Sequence, residues 1–212
     1  MSTYKLTITM AGYWFAGTGS EAGAYADSIA LKDENGLPYF PGKSLKGIFR
    51  NAFRIAEYNN WFTGWDSLQK DLFGVEGSYY RFTTSGRDGN ALINSADDLL
   101  TSGSLHFSNA VIDPVISDKV ARNPDIKKLL FKTVQSTAID ENGVAKASSL
   151  RSYEVIIPMI LKSEISYDDD IDGLDGKDVL KILQNVSSLI MEIGGKRRRG
   201  FGRCIVEVSN ED

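Results

Sequence analysis

The sequence predicts an α+β fold with a ferredoxin-like (RRM-like) β-α-β-β-α-β core, and three observations carry that prediction. Apolar residues recur at helical spacing in two segments, 44–57 and 178–193. Stretches rich in Thr, Ile, Val, Tyr and Phe flank them and read as strands. The resulting order is strand, helix, strand, strand, helix, strand, the split β-α-β pattern.

The first strand is expected over 4–15, "YKLTITMAGYWF". A small, Gly-rich loop follows at 16–26, and 27–42 reads as an extended arm ending in a turn with two prolines. In the helix from Ser44 to Glu57, Leu45, Ile48, Phe49, Ala52, Phe53 and Ala56 form the apolar stripe. Lys46, Arg50 and Arg54 fall off that stripe. Residues 58–102 read as an irregular insertion with one short helix near 67–73. "GSLHFSNAVI", 103–112, reads as a strand, and 113–152 as a long, partly mobile excursion with few apolar runs.

"YEVIIPMILKSEIS", 153–166, reads as one strong strand, with Pro158 marking an edge or bulge. Val179, Ile182, Leu183, Val186, Leu189, Ile190 and Ile193 make the second helix, which Gly194–Gly195 are expected to stop. "GFGRCIVEV", 200–208, is the last strand, and "SNED" reads as a disordered tail. The chain is thus expected to be one domain over 1–212. Its core covers 1–57, 103–116 and 153–208, its insertion 58–102 and its excursion 117–152.

The 212 residues are 42% hydrophobic and 25% charged, as in a soluble globular protein. No apolar run approaches the roughly 20 residues of a membrane span, so no membrane partner is expected. The N-terminus lacks a signal-peptide core and Cys204 is the single cysteine, which together point to the cytoplasm. The net charge of −4 argues weakly against nucleic acid, but the charges are segregated. "PGKSLKGIFRNAFR", 41–54, and "GGKRRRGFGR", 194–203, are basic and hold no acid. The acids gather in "SEISYDDDIDGLDGKD", 163–178. Local positive potential is what a polyanion meets, although a solvated surface is the plainer account of either cluster.

"FPGKSLKG", 40–47, invites comparison with a nucleotide-binding P-loop and fails it. Gly36 and Gly42 are separated by five residues rather than four, and Pro38 and Pro41 remove backbone N–H donors that would cradle phosphates. A helix start flanked by Lys43, Ser44 and Lys46 still suits a single phosphate, unless Ser44 only caps the helix. Gly17, Gly19 and Gly23 are one residue too widely spaced for a dinucleotide fingerprint, but they suit a loop that lets backbone approach a ligand. Residues 168–179 nearly match a calcium loop, yet Val179 stands where the bidentate Glu belongs. Acids favouring the start of the last helix explain that run more simply.

Several segments together resemble the RAMP superfamily of CRISPR RNA-binding proteins. They are "GLPYFPGKSLKGIFRNAFR", "DLFG" at 71–74, "SGSLHFSNAVI" at 102–112 and "GGKRRRGFGRCIVEV", in that order. Within it the chain looks most like the repeated backbone subunit of type III CRISPR interference (Csm/Cmr-type) complexes. The resemblance implies copies that self-associate into a filament along CRISPR RNA with other effector subunits. It also implies a "thumb" that interrupts the guide–target duplex, here matched to 137–156. Asp27 matches the family's cleavage aspartate, which acts on target RNA with Mg²⁺ or another divalent metal.

On this reading Lys43, Ser44, Lys46, Arg50, Lys196, Arg197, Arg198 and Arg199 contact guide phosphates without reading sequence. Gly17, Gly19, Gly200 and Gly202 allow close approach. Phe201 either stacks on a base or packs in the core. His106, the only histidine, reads as a packed or partly exposed strand residue, which argues against a metal-independent processing nuclease. The alternatives are a non-catalytic RNA-binding subunit of the same complex, a CRISPR RNA-processing endoribonuclease, and an unrelated small-molecule binder.

Overall fold

The computed structural model describes residues 1–18, 28–62, 68–74, 103–169, 171 and 173–210. Asp27, Gly19, most of the 58–102 insertion, Asp170 and Asp172 lie outside the described residues. In chain order the elements are β1 (Ser2–Met10), α1 (Gly42–Tyr58), α2 (Leu68–Phe73), β2 (Leu105–Phe107) and β3 (Val111–Ile112). They continue with α3 (Pro114–Ala121), α4 (Pro124–Leu129), β4 (Phe131–Ser136), β5 (Arg151–Ile156), β6 (Ile160–Tyr167), α5 (Gly176–Ser187) and β7 (Cys204–Asn210).

The main sheet runs β2-β6-β1-β7, with β3 also on β6, and every pair is antiparallel. Two helical crossovers, through α1 and α5, return to it, as the ferredoxin-like arrangement requires. Strand alternation decides the faces. Tyr4, Leu6, Ile8 and Met10 of β1 are buried, as are Leu161 and Ile165 of β6 and Val206 and Val208 of β7. The stripes of α1 (Leu45, Phe49, Ala52, Phe53, Ala56) and α5 (Val179, Ile182, Leu183, Val186) close over that face in one core. The other face carries Lys5, Thr7 and Thr9, then Lys162 and Glu164, then Ile205 and Glu207. Those positions hold none of the stacking aromatics by which RRM sheets read bases.

The segment 153–166 is not one strand. Pro158 lies in a break at 157–159, where its missing N–H and fixed φ end the ladder. On one side β6 lies in the main sheet between β2 and β1; on the other β5 pairs antiparallel with β4 in a separate two-stranded sheet. The excursion therefore contains two short capped helices and a hairpin. Asp113 caps α3 through Val115, and Asn123 caps α4 through Asp125 and Ile126. The hairpin tip is closed by Asp140, whose carboxylate accepts from the amides of Asn142 and Val144, both at 2.9 Å.

The expected strand 103–112 splits into β2 and β3 around Ser108–Ala110. Ala110 and Phe40 exchange backbone hydrogen bonds of 2.8 Å, which docks the arm before α1. The second helix ends at Ser187, short of the glycines, although Ile190 and Ile193 are still buried. Ser209 and Asn210 belong to β7 rather than to a tail. No helix among the described residues is long and apolar enough to cross a membrane.

Candidate nucleic-acid interface

The start of α1 is built from two distant segments. Its N-cap is Pro41, which offers no side-chain cap, and Ser44 does not supply one. Asn109 does: its Oδ1 accepts from the Gly42 amide at 2.9 Å. Gly42 is pressed so closely on the β2–β3 connection that a Cβ there would collide with the carbonyl oxygens of Phe107 and Ser108. Lys43 and Ser44 are exposed at this turn.

The second basic segment is anchored just as tightly. Gly194 has φ +90° and lies against the Phe15 carbonyl, to which the Gly195 amide donates at 2.7 Å. Lys196 then turns left-handed (φ +57°) into a short 3₁₀ turn, Arg197–Arg199, which Gly200 follows. This turn aims the cations outward: Arg197, Arg198 and Arg199 are exposed.

The two segments meet in one groove of about 290 Å³. Ala16, Leu31, Phe40, Pro41 and Ile48 give it apolar lining; Gly17, Ser44, Gly194, Gly195 and Arg197 give it backbone and polar lining. Such a mixture suits a ribose-phosphate strand, which offers sugar and base faces as well as charge.

The other predicted cations are committed elsewhere. The Lys46 ammonium donates to the Leu105 carbonyl at 2.7 Å. Burial, and then the neighbouring Arg50 charge, hold its pKa below the usual lysine value. The Arg50 Nη2 donates to the Phe73 carbonyl at 2.6 Å, tying α1 to α2, while its buried Nε has no partner among the described residues. Lys196 lies 3.8 Å over the Tyr153 ring, and the Arg199 guanidinium 5.4 Å from it. Arg199 also donates to the Ser136 hydroxyl at 2.6 Å. The basic loop is thereby fastened to the base of the β4–β5 hairpin. Phe201 is half-buried and Gly202 buried.

His106 is half-exposed on β2, 2.8 Å from an Asp168 oxygen. Within the acidic run, Asp169 binds Ser2 and the N-terminal ammonium, and Asp175 caps α5 through Lys177 and Asp178. Among the described residues no group of three or more His, Cys, Asp and Glu is arranged to hold a metal. Cys204 is buried, and burial pushes its thiol up to about 11.

Sequence reasoning missed Asn109, Tyr153 and Glu154. Asn109 is 67 positions from the amide it caps, so no local signal announces it. Tyr153 and Glu154 lay inside a segment read as core strand, where a glutamate among apolar residues was the available signal.

Among curated proteins no sequence match is found. Of solved structures, the chain is similar to one in the cryo-EM structure of the Type III-B Cmr-beta bound to cognate target RNA. The TM-score is 0.63 and the identity 11%, over 98% of this chain and 97% of that one. It is similarly matched to the apo state of Type III-B Cmr-beta, with TM-score 0.62 and 13% identity, over 98% and 97% of the two chains. At such identities these likenesses speak to the fold. The model of the RAMP superfamily matches residues 7–205, which takes in the arm, both crossovers, the hairpin and the basic loop, and the chain belongs to that superfamily.

Proposed function

We propose that this protein is a CRISPR RNA-binding backbone subunit of a type III effector complex. Superfamily membership and the fold shared with subunits of Type III-B Cmr-beta support the setting. The observation that carries the RNA-binding role is the single groove shared by the start of α1 and the 194–197 loop. Lys43, Arg197 and Arg198 meet guide phosphates there, and the apolar lining receives sugar or base. Lys46 and Arg50 hold the groove in shape by securing α1 to β2 and α2. The β4–β5 hairpin, fastened to the basic loop through Arg199 and Lys196, is the thumb that separates guide from target at each copy. Neighbouring copies associate along the guide.

The same subunit cleaves target RNA through Asp27. A divalent metal such as Mg²⁺, bound at that carboxylate, would supply charge neutralisation at the reacting phosphate. The protein's part is to place the phosphodiester in line, which the hairpin and groove do by holding a kinked strand. Asp27→Ala in the assembled complex tests the cleavage. Target cleavage should fall by about 100-fold or more with guide binding retained. Cleavage at the parental rate would leave a non-catalytic RNA-binding subunit.

A further inference from the structure

Glu154 is a charged side chain only 3% exposed. A carboxylate taken out of water needs donors to replace its hydration. Glu154 has two: Oε2 accepts from the Ala30 amide at 3.1 Å, and Oε1 from the Lys32 ammonium at 3.0 Å. Its own amide donates to the Ser28 carbonyl at 3.0 Å, and Ser28 pairs in parallel with Tyr153. Lys32 lies 4.2 Å over the Phe131 ring of β4. Residues 28–32 are thus laid along the hairpin base and latched there by one side chain. Well-packed apolar residues often replace buried ion pairs without loss of stability. The pair is therefore weak evidence of a stability role, and its geometry suits alignment of the two segments.

We propose that Glu154 is a positioning residue. It locks Ser28–Lys32 to the β4–β5 hairpin, so that the hairpin and the chain arriving from residue 27 keep one registration on bound RNA. The proposal deepens, and rests on, the reading in which Asp27 carries cleavage, since Ser28 is its neighbour in sequence. The latch acts through backbone, not by touching substrate.

Two variants test it. Glu154→Gln keeps an acceptor for Ala30 but loses the charge facing Lys32; Glu154→Leu loses both. In the reconstituted complex, single-turnover cleavage at saturating target should fall by about 10- to 100-fold for E154L and less for E154Q. Guide-RNA affinity should be unaltered. Cleavage at the parental rate overturns the proposal, as does a loss matched by an equal loss of guide affinity, which would mark a merely structural residue. Hydrogen exchange on the full chain alone gives a readout independent of activity. The Ala30 amide should exchange about tenfold faster in E154L with β1 unaltered. Unaltered exchange at Ala30 overturns the latch. Should the parental complex fail to cleave, the Asp27 reading falls and exchange alone decides the latch. Should E154L not fold, E154Q decides by cleavage and guide affinity, with parental cleavage overturning the proposal, since it keeps the acceptor for Ala30.

Discussion

Tyr4 is buried between the main sheet and α5, and its hydroxyl donates to the Gly176 carbonyl at 2.7 Å. Burial is the largest cause that pushes its phenol from 10.0 up to about 12. In the unfolded chain the phenol ionises near the ordinary value. Its contribution to stability is therefore complete below pH 10 and lost as the pH rises from 10 towards 12. Tyr4→Phe should cost about 0.5–1.5 kcal/mol at neutral pH, the worth of one hydrogen bond, and flatten that alkaline loss. Denaturant melts at pH 7 and pH 11 check both. The tyrosine was legible as a strand residue from "YKLTITM", but its partner lies 172 positions away and could not be read from any local pattern.

At the scale of elements, α1 was legible because its stripe is strong and its start is marked by Pro41 and Gly42. Its cap was not, because Asn109 reaches it only once β2 and β3 are formed. Asn109→Ala should destabilise the protein by about 1 kcal/mol, read as a shift of the unfolding midpoint, whereas Ser44→Ala should leave it unaltered. The hairpin was the poorest reading. "FKTVQS" offers only Phe131 and Val134 as apolar residues, too few to signal a strand, while β5 and β6 merge in sequence across Pro158. A proline read as an edge or a bulge is the boundary between two sheets. Glu154 could not be read from the strand pattern, because its burial depends on segment 28–32 folding over it.

Over the whole molecule, the net charge of −4 is unevenly spread: the start of α1 and the 194–197 loop share one face, where they line a groove, while Asp175 caps α5 and Asp169 binds the N-terminus. Binding to that face should depend on salt through counterion release. Lys43→Ala and Arg197→Ala should each lower the log–log salt slope for single-stranded RNA by about 0.7, whatever the sequence. Lys46→Met should instead move the unfolding midpoint and leave the slope unaltered, since its ammonium is already given to Leu105. Fluorescence anisotropy at a series of salt concentrations separates the two behaviours. The two basic clusters were legible from their composition and glycines; the division of labour among the cations was not, since sequence shows charge but not which carbonyl receives it.

The break at Pro158 has a consequence for how this architecture diversifies. Because β5 turns away from β6 at that residue, the hairpin is held from its root, by Trp14 pairing with Ile156, by the indole N–H reaching Ile157, and by the 28–32 segment and the basic loop. Residues added between Ile139 and Ala145 would extend outward into solvent and shift no strand in the interior. Descendants of such a scaffold can vary the reach of that arm freely while inheriting an unaltered foundation.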